Sequence, residues 1–241
     1  MRRSSSLFIA LALILSAGPA LAHYPVNLKA SHNTVSKSPI LLDGTISFAV
    51  YADFAKAKEK RSVRFALKKG DELNVEYLIV DAMPTNKLKS SQLPLITITS
   101  PSGKKIVMKI NERSPFYEPY GKKNYFFLSR ISQGGEAGIY SITATAKTKS
   151  SVVIAIGRTE TRGEYLEVGS SAGTCPAALK NEEMISEARA KQLISMSEVG
   201  AEICAATNSW LYRIGEKDGE AFMLTKDYRT NRVTVSIESG F

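Results

Sequence analysis

From residue 46 onward the chain alternates apolar and polar positions in short bursts. Residues 46–51, 63–67, 73–80, 95–99, 105–110, 125–131, 138–146 and 151–156 are rich in Val, Ile, Phe, Tyr and Thr. A period of two sends successive side chains to opposite faces, so each burst predicts a β-strand. Between them stand Lys69-Gly70-Asp71, Pro101-Ser102-Gly103-Lys104 and Gly134-Gly135, residues that favour turns. The absence of helical patterning between the bursts argues against βαβ units. The pattern therefore predicts an antiparallel β-sandwich, jelly-roll-like, over residues 23–166.

After residue 166 the pattern changes. Residues 167–176 are rich in Gly and Ser and are expected to be a linker. Residues 177–193 are rich in helix formers, with Leu179, Met184, Ile185, Ala188 and Leu193 near helical spacing. A second helix is expected over 197–206, with Ser197 as its N-cap, Glu198 in its first turn and Asn208 as its stop. Residues 210–214 and 232–237 read as partner strands around a loop over 215–226. Residues 177–241 thus predict a small α+β domain of the size at which a disulfide matters.

Composition places the chain in the cell. Arg2 and Arg3 precede an apolar run over 7–15, and Ala20-Leu21-Ala22 has the small-x-small form of a cleavage site. Residues 1–22 are therefore expected to be a signal peptide, with His23 as the new N-terminus. The apolar run is too short to span a bilayer comfortably, so a periplasmic or secreted protein that is not membrane-spanning is expected. The formal charge is +9, and the signal peptide carries two of those charges. A basic exported protein suits an anionic envelope component or an acidic protein partner, and nucleic acid is not expected as a partner there. Cys175 and Cys204 are the two cysteines. In an oxidising compartment such a pair predicts one disulfide, and their spacing matches no zinc pattern.

Candidate chemistry is sparse. The two histidines, His23 and His32, both precede the first predicted strand, so no Ser-His or Cys-His pair is visible. No Gly-rich phosphate loop, HExxH or calcium loop appears. The expectation is a protein that is not an enzyme and needs no cofactor, with carboxylate-only chemistry left open. One alternative is copper. A mature N-terminal His23 offers an α-amine and an imidazole nitrogen to Cu(II), and His32 offers a third nitrogen. This is similar to the amino-terminal histidine copper sites of some exported sandwich proteins.

Two stretches resemble known families. Phe116-Tyr117-Glu118-Pro119-Tyr120, then Gly138-Ile139-Tyr140, then the run over 153–160 look like exported β-sandwich accessory domains, of the kind appended to secreted peptidases. That resemblance implies a binding or accessory module without catalytic residues. Packing explains Tyr117, Tyr120, Tyr125 and Phe126 equally well.

The second stretch is Leu224-Thr225-Lys226-Asp227-Tyr228-Arg229-Thr230-Asn231-Arg232-Val233. It resembles the reactive-site segment of the potato inhibitor I family and of the related microbial elastase-inhibitor-like family. The resemblance implies a serine-protease inhibitor whose loop is held in its bound shape beforehand, so little ordering entropy is lost on binding. It implies that Lys226 is the primary specificity residue and Lys226-Asp227 the protected bond. Thr225 and Asp227 would flank that bond, Arg232 would brace the loop, and Arg229 would add support. The family carries a second bracing arginine two positions after the first, where this chain has Thr234. The alternative without inhibition is an envelope-associated structural or ligand-binding protein whose sandwich does the work.

Overall fold

The computed structural model describes residues 23–238, and the expected signal peptide lies outside the described residues. Up to residue 166 the chain is almost entirely strand: β1 (Tyr24–Leu28), β2 (Ile40–Leu41), β3 (Phe48–Phe54), β4 (Lys60–Leu67), β5 (Glu72–Val80), β6 (Leu95–Thr99), β7 (Lys105–Val107), β8 (Ser114–Glu118), β9 (Lys123–Gly134), β10 (Gly138–Thr145), β11 (Ser150–Ile156) and β12 (Tyr165–Leu166). They form two six-stranded sheets, in the orders β1-β3-β11-β5-β9-β8 and β12-β2-β4-β10-β6-β7. Every stretch expected as a strand contains one. The further strands are short or, like β8, carry a proline at their second position.

The two sheets share one core because alternation aims one face of each strand inward. Along β5, Leu73, Val75, Tyr77 and Ile79 enter that core, while Leu78 and Val80 join a separate apolar cluster with Ala49, Tyr125, Val153 and Ala155. The second sheet sends in Val63, Phe65, Ile96, Ile98, Tyr140 and Ile142, and the Phe65 and Tyr140 rings stack 5.2 Å apart. The sequence predicts antiparallel sheets, and the structure corrects this in two places. β1 runs parallel to β3 and β2 parallel to β4. Each parallel pair is made by a short strand from the lead-in segment, whose direction alternation cannot reveal.

Residues 167–176 form a closed loop rather than an extended tether. Val168 bridges Cys175, Cys175 N–H donates to the Glu167 carbonyl at 3.1 Å, and Gly173 N–H donates to the Gln192 carbonyl at 3.0 Å. The remainder folds as α1 (Glu187–Ala190), a 3-10 turn (Lys191–Leu193), α2 (Glu198–Thr207), β13 (Leu211–Lys217), β14 (Glu220–Ala221) and β15 (Arg232–Ile237). α2 matches its reading: Ser197 Oγ accepts from Gly200 N–H at 3.2 Å, and Asn208 is the C-cap. Its buried face packs with Trp210, Val233, Leu193 and the Cys175–Cys204 disulfide, and Ile40 of β2 belongs to the same cluster.

The helix expected over 177–193 is corrected to the one turn of α1 and the 3-10 turn after it. Tertiary demands override local propensity here. Glu182 has to meet two partners at once: Arg189 donates to both its oxygens at 2.6 and 3.1 Å, and Trp210 Nε1 donates at 2.7 Å. The chain reaches that position through Asn181 at φ +57°, in the left-handed region, which ends any helix. Arg189 also donates to the Ala177 carbonyl at 3.0 Å and to Asn208 Oδ1 at 2.9 Å, so the segment is pinned at both ends.

Candidate functional site

The three-stranded sheet β14-β13-β15 is the platform for the loop over 222–231. β13 and β14 are antiparallel, whereas β13 and β15 run parallel. A parallel pair needs a crossing connection, and the exposed loop supplies it. A bulge interrupts the β13–β15 register between Ile214 and Glu216. Gly215 sits in it, and its carbonyl accepts from Phe222 N–H at 2.9 Å, which sets where the loop departs. A Cβ on Gly215 would lie 2.8 Å from Thr234 Cγ2, so any larger residue there would have to displace the Thr234 side chain.

Residues 222–229 have no regular secondary structure, and Lys226 is exposed among them. Side chains support the loop from below. Asp227 is the hub. The Thr225 hydroxyl donates to its Oδ1, Arg229 Nε donates to Oδ2 at 2.8 Å, and Arg232 Nη1 donates to Oδ2 at 2.9 Å. Arg232 Nη2 also donates to the Asp227 main-chain carbonyl. Arg232 is largely covered, with its side chain 12% exposed, whereas that of Arg229 is 58% exposed. The hydroxyl of Thr225 and then the two guanidiniums hold the Asp227 carboxyl well below the usual carboxylate range. The charge-assisted bonds therefore persist into acid, since they need the ionised form.

The position where the resemblance implies a second arginine holds Thr234, and the structure brings an arginine to it from the neighbouring strand. Arg213 faces Thr234 in the register and donates to its Oγ1 from Nη2 at 3.0 Å and from Nε at 3.2 Å. Its Nη1 reaches the Thr225 carbonyl at 3.3 Å. The main-chain carbonyls on either side of Lys226 are thus each held by an arginine, one from β13 and one from β15. Sequence reasoning missed Arg213, because nothing local says that β13 and β15 pair in parallel. On the loop's far side, Thr230 Oγ1 donates to the Glu183 carbonyl at 2.7 Å, and Ile185 N–H donates to the Thr230 carbonyl at 3.0 Å.

The histidines are engaged elsewhere. His32 is buried, accepts from Lys29 N–H through Nδ1 at 3.1 Å and faces Glu167 through Nε2 at 3.1 Å. Both ring nitrogens are therefore committed within the fold. His23 Nδ1 bonds the Ser47 hydroxyl. Among the described residues no group of three His, Cys, Asp or Glu side chains is arranged to hold a metal ion. Likewise, no helix among them is long and apolar enough to cross a membrane. Of the aromatics in the first resemblance, Tyr125 and Phe126 pack into the sheets, while Tyr117 and Tyr120 are exposed.

No protein-family model matches the chain, and no curated protein matches it.

Proposed function

We propose that this chain is an exported serine-protease inhibitor, with Lys226-Asp227 as the protected bond on a small α+β unit carried by a β-sandwich. The observation that carries this reading is the pair of arginines, Arg213 and Arg232, that grip the carbonyls flanking exposed Lys226. An inhibitor has to present its loop already in the bound shape, and every braced dihedral is one that binding need not freeze. A lysine at the exposed position suits a protease pocket with a buried acid, so trypsin-like preference follows. The Cys175–Cys204 disulfide supports an oxidising compartment.

The test is a titration of trypsin and of an elastase-like protease with the purified protein. Inhibition of trypsin at micromolar protein or below, lost in Lys226→Ala, is the expected result. Rapid cleavage at residue 226 with no inhibition defeats the proposal.

A further inference from the structure

The outer face of the sheet containing β5 carries a trough far from the braced loop in sequence, and its origin can be followed across the register. Pro25 faces Ala49, Ala49 faces Ala155, Ala155 faces Glu76, and Glu76 faces Arg130. Two residues along β3, β11 and β5, and three along β9 because of an irregularity between Tyr77 and Leu78, Tyr51 faces Val153, Val153 faces Leu78, and Leu78 faces Phe127. The small side chains of Pro25, Ala49 and Ala155 therefore lie beside the larger Tyr51, Val153 and Leu78 on the same face. The result is a hollow of about 410 Å³, floored by Ala49 and Ala155 and walled by Tyr51, Phe116, Tyr125 and Phe127. That volume lies in the range of small-molecule sites, and so does the chemistry: apolar walls with few polar groups.

Glu76 is the distinctive polar group. It is half-buried, and among the described residues its carboxylate accepts no hydrogen bond and joins no ion pair. Arg130, its neighbour in the register, is committed elsewhere. Its Nε and Nη2 donate to Glu112 at 2.9 and 2.6 Å, and its guanidinium lies 4.5 Å from the Phe127 ring centre. Glu118 and Lys123 add one further charge of each sign to the lining. Glu118 accepts from Tyr120 N–H at 2.7 Å and Gly121 N–H at 2.5 Å, and Lys123 stands opposite it in the β8–β9 register. Arg130 feels the Glu76 charge through space, yet among Glu76, Glu118 and Lys123 in the trough's lining the carboxylates outnumber the ammonium, which leaves a negative bias beside aromatic faces. A carboxylate against apolar walls is costly alone and favourable with a cation, and aromatic faces attract the same cation.

We propose that this trough binds a small organic ammonium compound with a flat apolar body. The body lies on Ala49 and Ala155 against the rings, and the ammonium meets the Glu76 carboxylate. The site shares no residue with the braced loop, so it stands or falls separately from protease inhibition.

The test is an NMR titration of the whole protein carrying ¹³C-methyl alanine. The probe is 2-phenylethylammonium, with 3-phenylpropanoate as the charge-reversed control and cellobiose as a neutral hydroxylated one. Saturable shifts of the Ala49 and Ala155 methyls are expected with the amine alone. Glu76→Gln should weaken binding about tenfold or more, the scale of a hydrogen bond to a charged group. Ala155→Leu, which fills the floor and leaves Glu76 in place, should abolish the shift at Ala49. The proposal is overturned if millimolar amine gives no saturable shift, if the acid or cellobiose binds as well, or if Glu76→Gln binds unchanged. Should Glu76→Gln fail to fold, retained binding in Ala155→Leu overturns it instead.

Discussion

Arg213 and Thr234 stand opposite each other in the parallel pairing of β13 with β15, and the guanidinium that bonds the Thr234 hydroxyl at 3.0 Å also reaches the Thr225 carbonyl at 3.3 Å. One side chain therefore ties the loop to both strands of its base. Because the two positions are register partners, the brace can be supplied from either strand. Arg213→Ala should speed amide exchange over residues 225–229 and, if the proposed inhibition holds, weaken it at least tenfold against trypsin. Adding Thr234→Arg to that variant should recover most of both. Exchange measured by mass spectrometry reads the brace even without a protease, and unchanged exchange in Arg213→Ala would remove the role assigned to it.

Gly215 makes that geometry available. A Cβ there meets Thr234 Cγ2 at 2.8 Å, and Leu224 Cδ1 lies 3.6 Å away. Gly215→Ala should push Thr234 off its bond to Arg213 and cost about 1–3 kcal/mol, the usual scale of overpacking. Urea unfolding gives the energy, and exchange at Thr225 gives the loop effect. A stability change with no loop effect would separate Gly215 from the brace.

The Cys175–Cys204 disulfide closes a loop with a sequence separation of 29 residues, beneath α2 and Trp210. The chain-entropy model assigns such a closure about 3–4 kcal/mol. Replacing both cysteines by alanine should lower the urea midpoint of the transition seen by Trp210, the sole tryptophan, by a corresponding amount. The pair is buried beside Asn208, which donates to the Pro176 and Cys204 carbonyls at 3.2 and 3.0 Å. Asn208→Ala should therefore shift the same transition in the same direction, by taking the side-chain partner from the Pro176 carbonyl and from the Arg189 guanidinium, while the Cys204 carbonyl keeps its bond from the main-chain N–H of residue 208.

His32 links stability to pH. Burial lowers its pKa below the ordinary value, and the facing Glu167 only partly opposes that. The unfolded chain then binds a proton at a higher pH than the folded one, so folded stability falls as pH drops below the ordinary histidine range. The contribution of neutral His32 is complete above about pH 6.5 and is lost progressively down to the folded pKa. The thermal midpoint should decline as pH falls from about 7 to about 5, and His32→Gln should flatten that decline. A midpoint that rises on acidification in the parent but not in the variant would reverse the assignment.

Several elements were readable because their determinants are local. The strands from β3 to β11 announce themselves by alternation, except β8, where Pro115 hides the signal. α2 is readable from its cap, Ser197 before Glu198, because a cap is a contact over three residues. The contacts among Thr225, Asp227, Arg229 and Arg232 are readable for the same reason, since all four lie within eight positions of one loop.

Other features depend on distant partners and were not readable. The run over 177–193 has helical composition, yet Glu182 serves Arg189 and Trp210 together, and a segment held by such a network follows the network. The parallel pairing of β13 with β15 places Arg213 beside Thr234 from twenty-one residues away, and no periodicity records a pairing direction. The trough arises in the same way, from Ala49, Ala155 and Glu76 on three strands brought into one row. The sequence by itself determined which segments extend, where α2 begins and which side chains gather around Asp227, because each depends on neighbours a few bonds away. Only the tertiary structure decided which arginine completes the brace and where a carboxylate meets an apolar hollow, because both depend on strand order and register, which are properties of the assembled sheets.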